Sequence, residues 1–147
     1  MTESKITIRL ADWEKDKQIL SAIRRRVFIE EQNVPEELEW DEYDVSAIHF
    51  LAFEEDRAIA CARLKKNGRI GRMAVLATHR KKGTGKKLLQ FILQKATALK
   101  LEQVYLHAQV AAVPFYEKQG FIAKGDPFYE ANIPHQEMFA KLHYQNA

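Results

Sequence analysis

The chain has 147 residues, of which 46% are apolar and 29% are charged, and its net charge is +3 at pH 7. This composition predicts one globular domain over residues 1–147. No apolar run approaches the roughly 18 residues of a membrane span, and residues 1–5 lack the apolar core of a secretory signal. The single cysteine, Cys61, cannot form an internal disulfide, so a cytoplasmic location is expected.

Charge is segregated along the chain. Residues 27–56 contain eleven acidic residues and no Lys or Arg, whereas residues 57–101 contain thirteen Lys or Arg and no acidic residue. The pattern has two interpretations: two solvated faces of opposite sign, or a site with a basic cofactor side and an acidic substrate side. A nucleic-acid surface is not expected, because the basic segment has one aromatic residue, Phe91, on which a base could stack.

The spacing of apolar residues predicts a strand, a helix, three strands, a helix, a strand, a helix and a closing strand pair. Ile6, Ile8 and Leu10 alternate as one face of the first strand, and Asp12 can cap a helix that ends near Glu31. The acidic stretch through residue 44 is expected to be a loop or a short helix. Three strands are then predicted, over residues 47–53, 58–64 and 69–76.

The second half begins with an amphipathic helix predicted over residues 84–100, followed by a strand over 103–109. In that strand Tyr105, His107 and Gln109 share one face. Pro114 suits the first turn of a short helix, and Gly120 suits its C-terminal stop. A loop over residues 126–135 and a last strand over 137–142 complete the expected order.

The turn Arg80-Lys81-Lys82-Gly83-Thr84-Gly85 lies between a predicted strand and the long helix. Glycines allow backbone N–H groups to approach a phosphate, and the first helical turn adds unpaired donors and the positive end of the helix dipole. A P-loop is excluded, because its first glycine would fall at Arg80 and its Ser or Thr at Lys87. A dinucleotide-binding fingerprint fails as well, since neither Arg80 nor Leu88 is glycine.

A second motif, Ala111-Ala112-Val113-Pro114-Phe115-Tyr116-Glu117-Lys118-Gln119-Gly120-Phe121, follows about one strand later. Together the two motifs resemble the R/Q-x-x-G-x-G/A turn and A-x-x-F-Y-x-x-x-G-F helix of the GNAT superfamily of acyl-CoA-dependent N-acyltransferases. The segments 27–32, 106–109 and 133–135 further resemble a YjcF-like bacterial branch. The resemblance implies an α/β (α+β) GNAT fold: a mixed, mostly antiparallel twisted sheet of about seven strands, flanked by about four helices.

The resemblance also implies a site for acetyl-CoA, the acyl donor of the family. Backbone groups near Met73, Ala74 and Val75 would pair with the pantetheine arm as an added strand would. The pyrophosphate would bind the N–H groups of the turn and its cations. The implied cofactor residues of the turn and the second motif are Arg80, Lys81, Lys82, Gly83, Thr84, Gly85, Lys86, Phe115 and Tyr116.

Tyr116 is the candidate general acid, because a phenol can protonate the thiolate that leaves when an amine attacks the thioester directly. A base must take a proton from the amine, and four side chains are candidates. His107 has the better claim than Glu31, Asp41 and Glu137, since its strand face also carries polar residues. No metal site is expected, because the histidines and Cys61 lack ligand spacing.

The acceptor is expected to be a small cationic amine or a lysine side chain, facing the acidic segment. Trp40 and Tyr43 could pack against its positive charge. The candidate acceptor residues are Glu31, Gln32, Trp40, Asp41, Gln109 and His135. The protein would act as a monomer or homodimer, without nucleic acid or membrane. Two alternatives stay open: a non-catalytic acyl-CoA-binding sensor, and a basic nucleic-acid-binding domain using residues 57–101.

Overall fold

A computed structural model describes residues 5–142. Residues 1–4 and 143–147 lie outside that range, and so does most of the N-terminal segment in which no secretory signal was expected. The strands are β1 (Ile6–Ala11), β2 (Ile48–Glu54), β3 (Arg57–Leu64), β4 (Arg69–Val75), β5 (Gln103–Gln109), β6 (Ile122–Glu130) and β7 (Ile133–Lys141). The α-helices are α1 (Trp13–Arg24), α2 (Glu36–Glu39), α3 (Thr84–Ala98) and α4 (Val113–Lys118).

The seven strands form one mixed sheet in the order β1-β2-β3-β4-β5-β7-β6. Neighbours pair antiparallel except β4 and β5, which are parallel. The predicted fold class is confirmed: about seven strands, mostly antiparallel, with four α-helices. Because both faces of the sheet are covered, its central strands alternate between two sets of apolar contacts.

Helix α1 covers one face. Asp12 caps it, accepting hydrogen bonds from the backbone N–H groups of Glu14 and Lys15, as the sequence predicted. The helix continues as a π-helix over Arg25–Glu31, so the predicted end near Glu31 is confirmed. Its apolar residues pack against Leu51, Cys61 and Ala74 of the sheet.

Helix α3 covers the opposite face. Leu88, Leu89, Ile92 and Ala96 are fully buried, as the three-and-four spacing predicted. Phe50 of β2 lies in this cluster, whereas its neighbour Leu51 belongs to the cluster beneath α1. Successive apolar residues of the central strands therefore pack against opposite helical layers. A shift of one residue would expose them to the wrong layer, so this packing fixes the strand register.

The parallel pair β4 and β5 separates soon after it begins. Paired positions are Arg69 with Tyr105 and Ile70 with Leu106, and no later pair is present between these two strands. Beyond Ile70, β4 stays paired with β3 alone, through positions that reach Val75. One edge of β4 is therefore left without a strand partner, and it faces the opening between β4 and β5.

The chain after α4 differs from its prediction. Residues 126–135 were expected to form a loop, but they contain the end of β6, the turn at Ala131 and Asn132, and the start of β7. The last strand therefore begins at Ile133 rather than Glu137. Strand β6 is an exposed edge strand with little apolar alternation, and a shift in register follows Lys124. Because of these features the sequence of β6 lacks the alternating apolar pattern from which a strand is predicted.

Candidate active site

The glycine turn has the backbone conformation that an anion cradle requires. Gly83 has φ of 84° and Lys81 has φ of 63°, so the chain passes twice through the left-handed region before α3 begins. No side chain among the described residues caps α3. Its first-turn N–H groups therefore remain available as donors.

The first turn of α3 and the residues before it are basic. Lys81, Lys82 and Lys86 are exposed and form no ion pair within residues 5–142. Cations at the positive end of a helix dipole are unfavourable by about 0.3–1 kcal/mol each. An anion bound at this end would reverse that cost, which fits the predicted pyrophosphate site.

Arg80 lies in the same turn but already has partners. It donates to both carboxylate oxygens of Glu31, at 2.5 and 2.8 Å, and its Nε donates to the carbonyl of Val75 at 2.9 Å. The hydrogen bonds from Arg80 lower the pKa of Glu31. Glu31 is thus fixed beside the cofactor turn as a carboxylate, a poor state from which to accept a proton.

The turn, the free edge of β4 and helix α4 meet at one place. A Cβ added to Gly85 would lie 3.6 Å from Phe115 Cζ and 3.7 Å from Met73 Cε, so the three elements are in contact there. The Tyr116 hydroxyl donates a hydrogen bond to Met73 Sδ at 3.7 Å. Three groups of residues that the sequence assigned to the cofactor therefore lie around the opening between β4 and β5.

Tyr116 is held by aromatic neighbours. Its ring lies 5.1 Å from that of Phe115 and 5.8 Å from that of Phe121, both edge to face. Burial raises the pKa of Tyr116 to about 12. The hydroxyl is therefore protonated throughout the neutral range and points toward β4.

A cleft of about 480 Å³ opens beside Tyr116, between the π-helix, β4, β5 and the β6–β7 turn. Gln109 crosses it, donating from Nε2 to Gln32 Oε1 at 2.8 Å. Glu31 and Trp40 do not line the cleft. The predicted site residues that do line it are Gln32, Asp41, Met73, His107, Gln109, Tyr116 and His135.

Trp40 packs against arginines of the protein itself. Its ring lies 5.1 Å from the guanidinium carbon of Arg24 and 5.7 Å from that of Arg25. A cationic acceptor was expected to pack against this indole, but two arginines of the protein pack there instead. Trp40 stabilises the segment behind the cleft instead of facing an acceptor.

The acidic segment is neutralised in the same way. Arg24 bonds Glu39 at 2.8 Å and Asp44 at 2.7 Å, in a region where all three side chains are almost fully buried. Arg63 donates to both oxygens of Asp41, at 2.7 and 3.1 Å. Burial raises the pKa of Asp41, but its interactions with Arg63, Arg72 and the Tyr43 N–H together outweigh this, and the net shift is downward. Glu39, Asp41 and Asp44 are thus paired within the protein. Glu37 and Glu42 form no ion pair among residues 5–142, but they do not line the cleft, so the acids of the cleft give no net attraction for a cationic acceptor.

His107 lies in the cleft between two carboxylates. Its Nδ1 is 2.7 Å from Glu130 Oε2, and its Nε2 is 3.8 Å from Glu137 Oε1. We assign a proton to Nδ1, donated to Glu130 across the shorter contact, which leaves Nε2 to accept a proton. In this tautomer Arg69 Nη2, 3.0 Å from Nδ1, lies beside the ring without donating to it. Burial raises the pKa of Glu130, but the hydrogen bond with His107 and the electrostatic interactions with Arg69 and two histidines together outweigh this, and the pKa is lowered. Sequence reasoning missed Glu130, because its strand was expected to be a loop.

His135 has a structural partner. Its Nδ1 lies 2.7 Å from the carbonyl oxygen of Ile133, and its ring stacks on Phe128 at 6.1 Å. Phe128 in turn meets the ring of His107 edge to face at 5.0 Å. His135 thus supports the wall of the cleft that carries His107.

Three further observations concern the described residues. In residues 5–142 no group of three or more His, Cys, Asp or Glu side chains could hold a metal ion. No helix in this part of the chain is long and apolar enough to cross a bilayer. Cys61 is buried, and burial raises the pKa of its thiol to about 12, so it is not a nucleophile at neutral pH.

The paired motifs and the separated strands agree with comparisons to known proteins. A family model described as the acetyltransferase (GNAT) domain matches residues 10–142. The chain belongs to the GNAT family of acetyltransferases. The resemblance inferred from the two motifs is confirmed, and the chain is an acyl-CoA N-acetyltransferase in the general sense of that family.

Individual relatives support the assignment to the GNAT family. YjcF of Bacillus subtilis, described as an uncharacterized N-acetyltransferase, is 32% identical over 120 residues, covering 79% of this chain and 86% of the relative. Among solved structures, Escherichia coli ElaA is 27% identical with a TM-score of 0.84, covering 93% of this chain and 100% of ElaA. An acyl-CoA N-acyltransferase from Pseudomonas aeruginosa is 29% identical with a TM-score of 0.81, covering 91% and 99% respectively.

Proposed function

We propose that this GNAT protein transfers an acetyl group from acetyl-CoA to a primary amine by direct attack. The observation that carries the proposal is the meeting of three elements at one opening: the turn at Gly83 and Gly85, the free edge of β4, and Tyr116. Acetyl-CoA, when bound, supplies the acyl group as a thioester that a neutral amine attacks. The N–H groups of the turn would hold the pyrophosphate, and backbone groups from Met73 to Val75 would hold the pantetheine arm.

Tyr116 acts at the leaving sulfur as a hydrogen-bond donor. A thiol has a reference pKa of about 8.5, and the pKa of Tyr116 is raised to about 12. Complete transfer of the phenolic proton to the sulfur is therefore uphill. A hydrogen bond that strengthens as charge develops on the sulfur avoids this cost.

His107 acts as the base. Glu130 lies 2.7 Å from Nδ1 and accepts its proton, which orients the ring and leaves Nε2 to take a proton from the amine. The His107 ring lines the cleft. Glu130 is a positioning residue, since it acts through His107. Glu31 is a weaker candidate because it is paired with Arg80. Asp41 is weaker because it is paired with Arg63.

Release of free thiol from acetyl-CoA across a panel of amines tests the proposal. The panel contains amino acids, polyamines, aminoglycosides and lysine peptides, and acetyl-CoA binding is measured in parallel by calorimetry. Amine-dependent thiol release that Tyr116→Phe reduces would support acetyl transfer. Tight acetyl-CoA binding without thiol release for any amine would instead favour the acyl-CoA-binding sensor.

A further inference from the structure

The cleft carries more positive than negative side chains. Three acids and four cations line it, which gives a formal excess of one positive charge. This is the reverse of the acidic wall that the sequence predicted. The acids are Glu39, Asp41 and Glu130, and the cations are Arg63, Lys65, Arg69 and Arg72.

Two of the cations are already matched to the acids. Arg63 donates to both oxygens of Asp41. Arg72 lies 3.1 Å from Glu39 Oε2 and donates to Asp41 Oδ2 at 3.2 Å. Both guanidiniums are held by several bonds, so they are fixed in place and their charges are balanced by acids that line the same cleft.

Lys65 is the cation without a countercharge. Its Nζ lies 3.6 Å from the centre of the Tyr43 ring, and it forms no ion pair with any residue between 5 and 142. The side chain is half-buried, and burial together with the charges of Arg69 and Arg63 lowers the pKa of Lys65. An ammonium held in a cleft among guanidiniums is unfavourable unless an anion joins it.

Arg69 lies next to Lys65 in the fold and contacts the proposed base. The backbone N–H of Lys65 donates to the carbonyl of Arg69 at 2.8 Å, which closes the turn between β3 and β4. The guanidinium of Arg69 reaches across the cleft, with Nη2 at 3.0 Å from His107 Nδ1 and 3.3 Å from Glu130 Oε1. Lys65 and His107 both line the cleft, and Arg69 contacts each of them, Lys65 through its backbone and His107 through its side chain.

We propose that the acceptor is an amine that also carries an anionic group, as an amino acid does, and that Lys65 binds this group with Arg69 beside it. The amine would then face His107 Nε2. This inference rests on the proposed acetyl transfer and names the class of its acceptor. A purely cationic acceptor would have to approach Lys65 with no free carboxylate to balance it.

The test compares amine acceptors with and without an anionic group. Acetyl transfer is measured for amino acids and for their amides, and for phosphoethanolamine and ethanolamine. The acceptors with an anionic group should exceed their partners without one by about 10- to 100-fold in kcat/KM, the range of a hydrogen bond to a charged group. The amino-acid pairs test recognition of a carboxylate, and the ethanolamine pair tests recognition of a phosphate. Equal or better use by the wild-type protein of the partners without an anionic group would overturn the inference.

Lys65→Met is compared with Lys66→Met, a change at the neighbouring exposed lysine that does not line the cleft. In Lys65→Met, kcat/KM for the acceptor with the anionic group should become close to kcat/KM for its partner without it, so that their ratio approaches one. Lys66→Met should leave the ratio as in the wild-type protein. If both variants lost the preference for acceptors with an anionic group, the inference would be overturned. The preference would then depend on the overall charge of the surface and not on Lys65 in particular.

An equilibrium measurement separates this inference from the proposed function. Calorimetry follows N-acetylated amino acids and their amides binding to the protein with CoA present. The anion site would be supported if the N-acetylated amino acids bound more tightly than their amides and if Lys65→Met abolished this difference. This holds even if no amine were acetylated. Equal binding of acids and amides would overturn the site, even if amines were acetylated readily.

Discussion

Arg80 and Glu31 form a two-pronged ion pair, with donor distances of 2.5 and 2.8 Å, although 49 residues separate them in sequence. The pair joins the end of the π-helix to the turn that precedes α3. Both side chains are more than one-third exposed, so we expect the pair to contribute no more than about 1 kcal/mol to stability. Its main effect is on charge, because Glu31 offsets the positive charge of Arg80 beside the proposed pyrophosphate site.

Glu31→Gln should therefore lower KM for acetyl-CoA, by about two- to fivefold, because the charge of Arg80 is no longer offset. Turnover should persist, since Glu31 is not the proposed base. Steady-state kinetics with varied acetyl-CoA measure both effects, and Arg80→Met provides the opposite change, with a raised KM. A raised KM in Glu31→Gln would show that the pair is needed to shape the turn.

The two glycines of the turn should differ in their tolerance of alanine. Gly83 has φ of 84°, where an alanine costs roughly 1–2 kcal/mol. A Cβ at Gly85 would make ordinary contacts with Phe115 and Met73, at 3.6 and 3.7 Å. Gly83→Ala should lower Tm and weaken acetyl-CoA binding, whereas Gly85→Ala should keep Tm close to wild type. Thermal melts with and without acetyl-CoA compare them, and equal losses would contradict the backbone argument.

Features determined by nearby residues could be predicted from the sequence. The cap formed by Asp12, the apolar periodicity of α3 and the conformation of the glycine turn each depend on residues only a few positions apart. They therefore follow from local rules. Pairings across the fold could not be predicted, because they depend on which strands become neighbours. Arg63 meets Asp41 across 22 residues. Acids that look free in sequence are neutralised in the structure.

Glu130 illustrates a second limit. Its strand β6 lies at the edge of the sheet and is exposed over most of its length, so no apolar alternation marks it. With the strand unrecognised, nothing in the sequence placed this carboxylate near His107. The histidine itself was identified because β5 is covered on one face and alternates clearly.

Tyr116→Phe removes the proposed hydrogen-bond donor and keeps the ring that packs against Phe115 and Phe121. We expect kcat to fall about 100-fold, with little change in acetyl-CoA affinity. Because burial raises the pKa of Tyr116 to about 12, the wild-type rate should show no titration of this phenol below about pH 11. Rapid-quench kinetics confirm that chemistry limits the rate, and a turnover equal to wild type would remove the role.

Arg24 should be essential for stability, and its neighbour Arg25 should not. Arg24 is almost fully buried and bonds Glu39 and Asp44, whereas Arg25 pairs with Glu36 at the surface. Arg24→Met would leave two buried acids without their main partner, at a cost of about 3–5 kcal/mol. Arg25→Met should unfold like wild type in a denaturant titration. Should Arg24→Met not fold, Arg24→Lys should fold with lower stability, and wild-type stability in either variant would contradict the prediction.

The last prediction concerns the carboxylates on either side of His107. Glu130 lies 2.7 Å from Nδ1 and orients the ring, whereas Glu137 is 3.8 Å from Nε2. Glu130→Gln should lower kcat about 10- to 100-fold, with KM for acetyl-CoA unchanged, because an amide no longer selects the tautomer that leaves Nε2 free. Glu137→Gln is the matched control and should have a smaller effect.

The position of the Nδ1 proton provides a readout that a purely structural role would not change. Nitrogen NMR of the His107 ring should show the Nδ1–H tautomer in the wild-type protein and a mixture in Glu130→Gln. Glu130→Asp, which keeps the charge on a shorter side chain, should recover part of the rate. If Glu137→Gln were the more damaging change, the base would be Glu137, and His107 would serve to hold it.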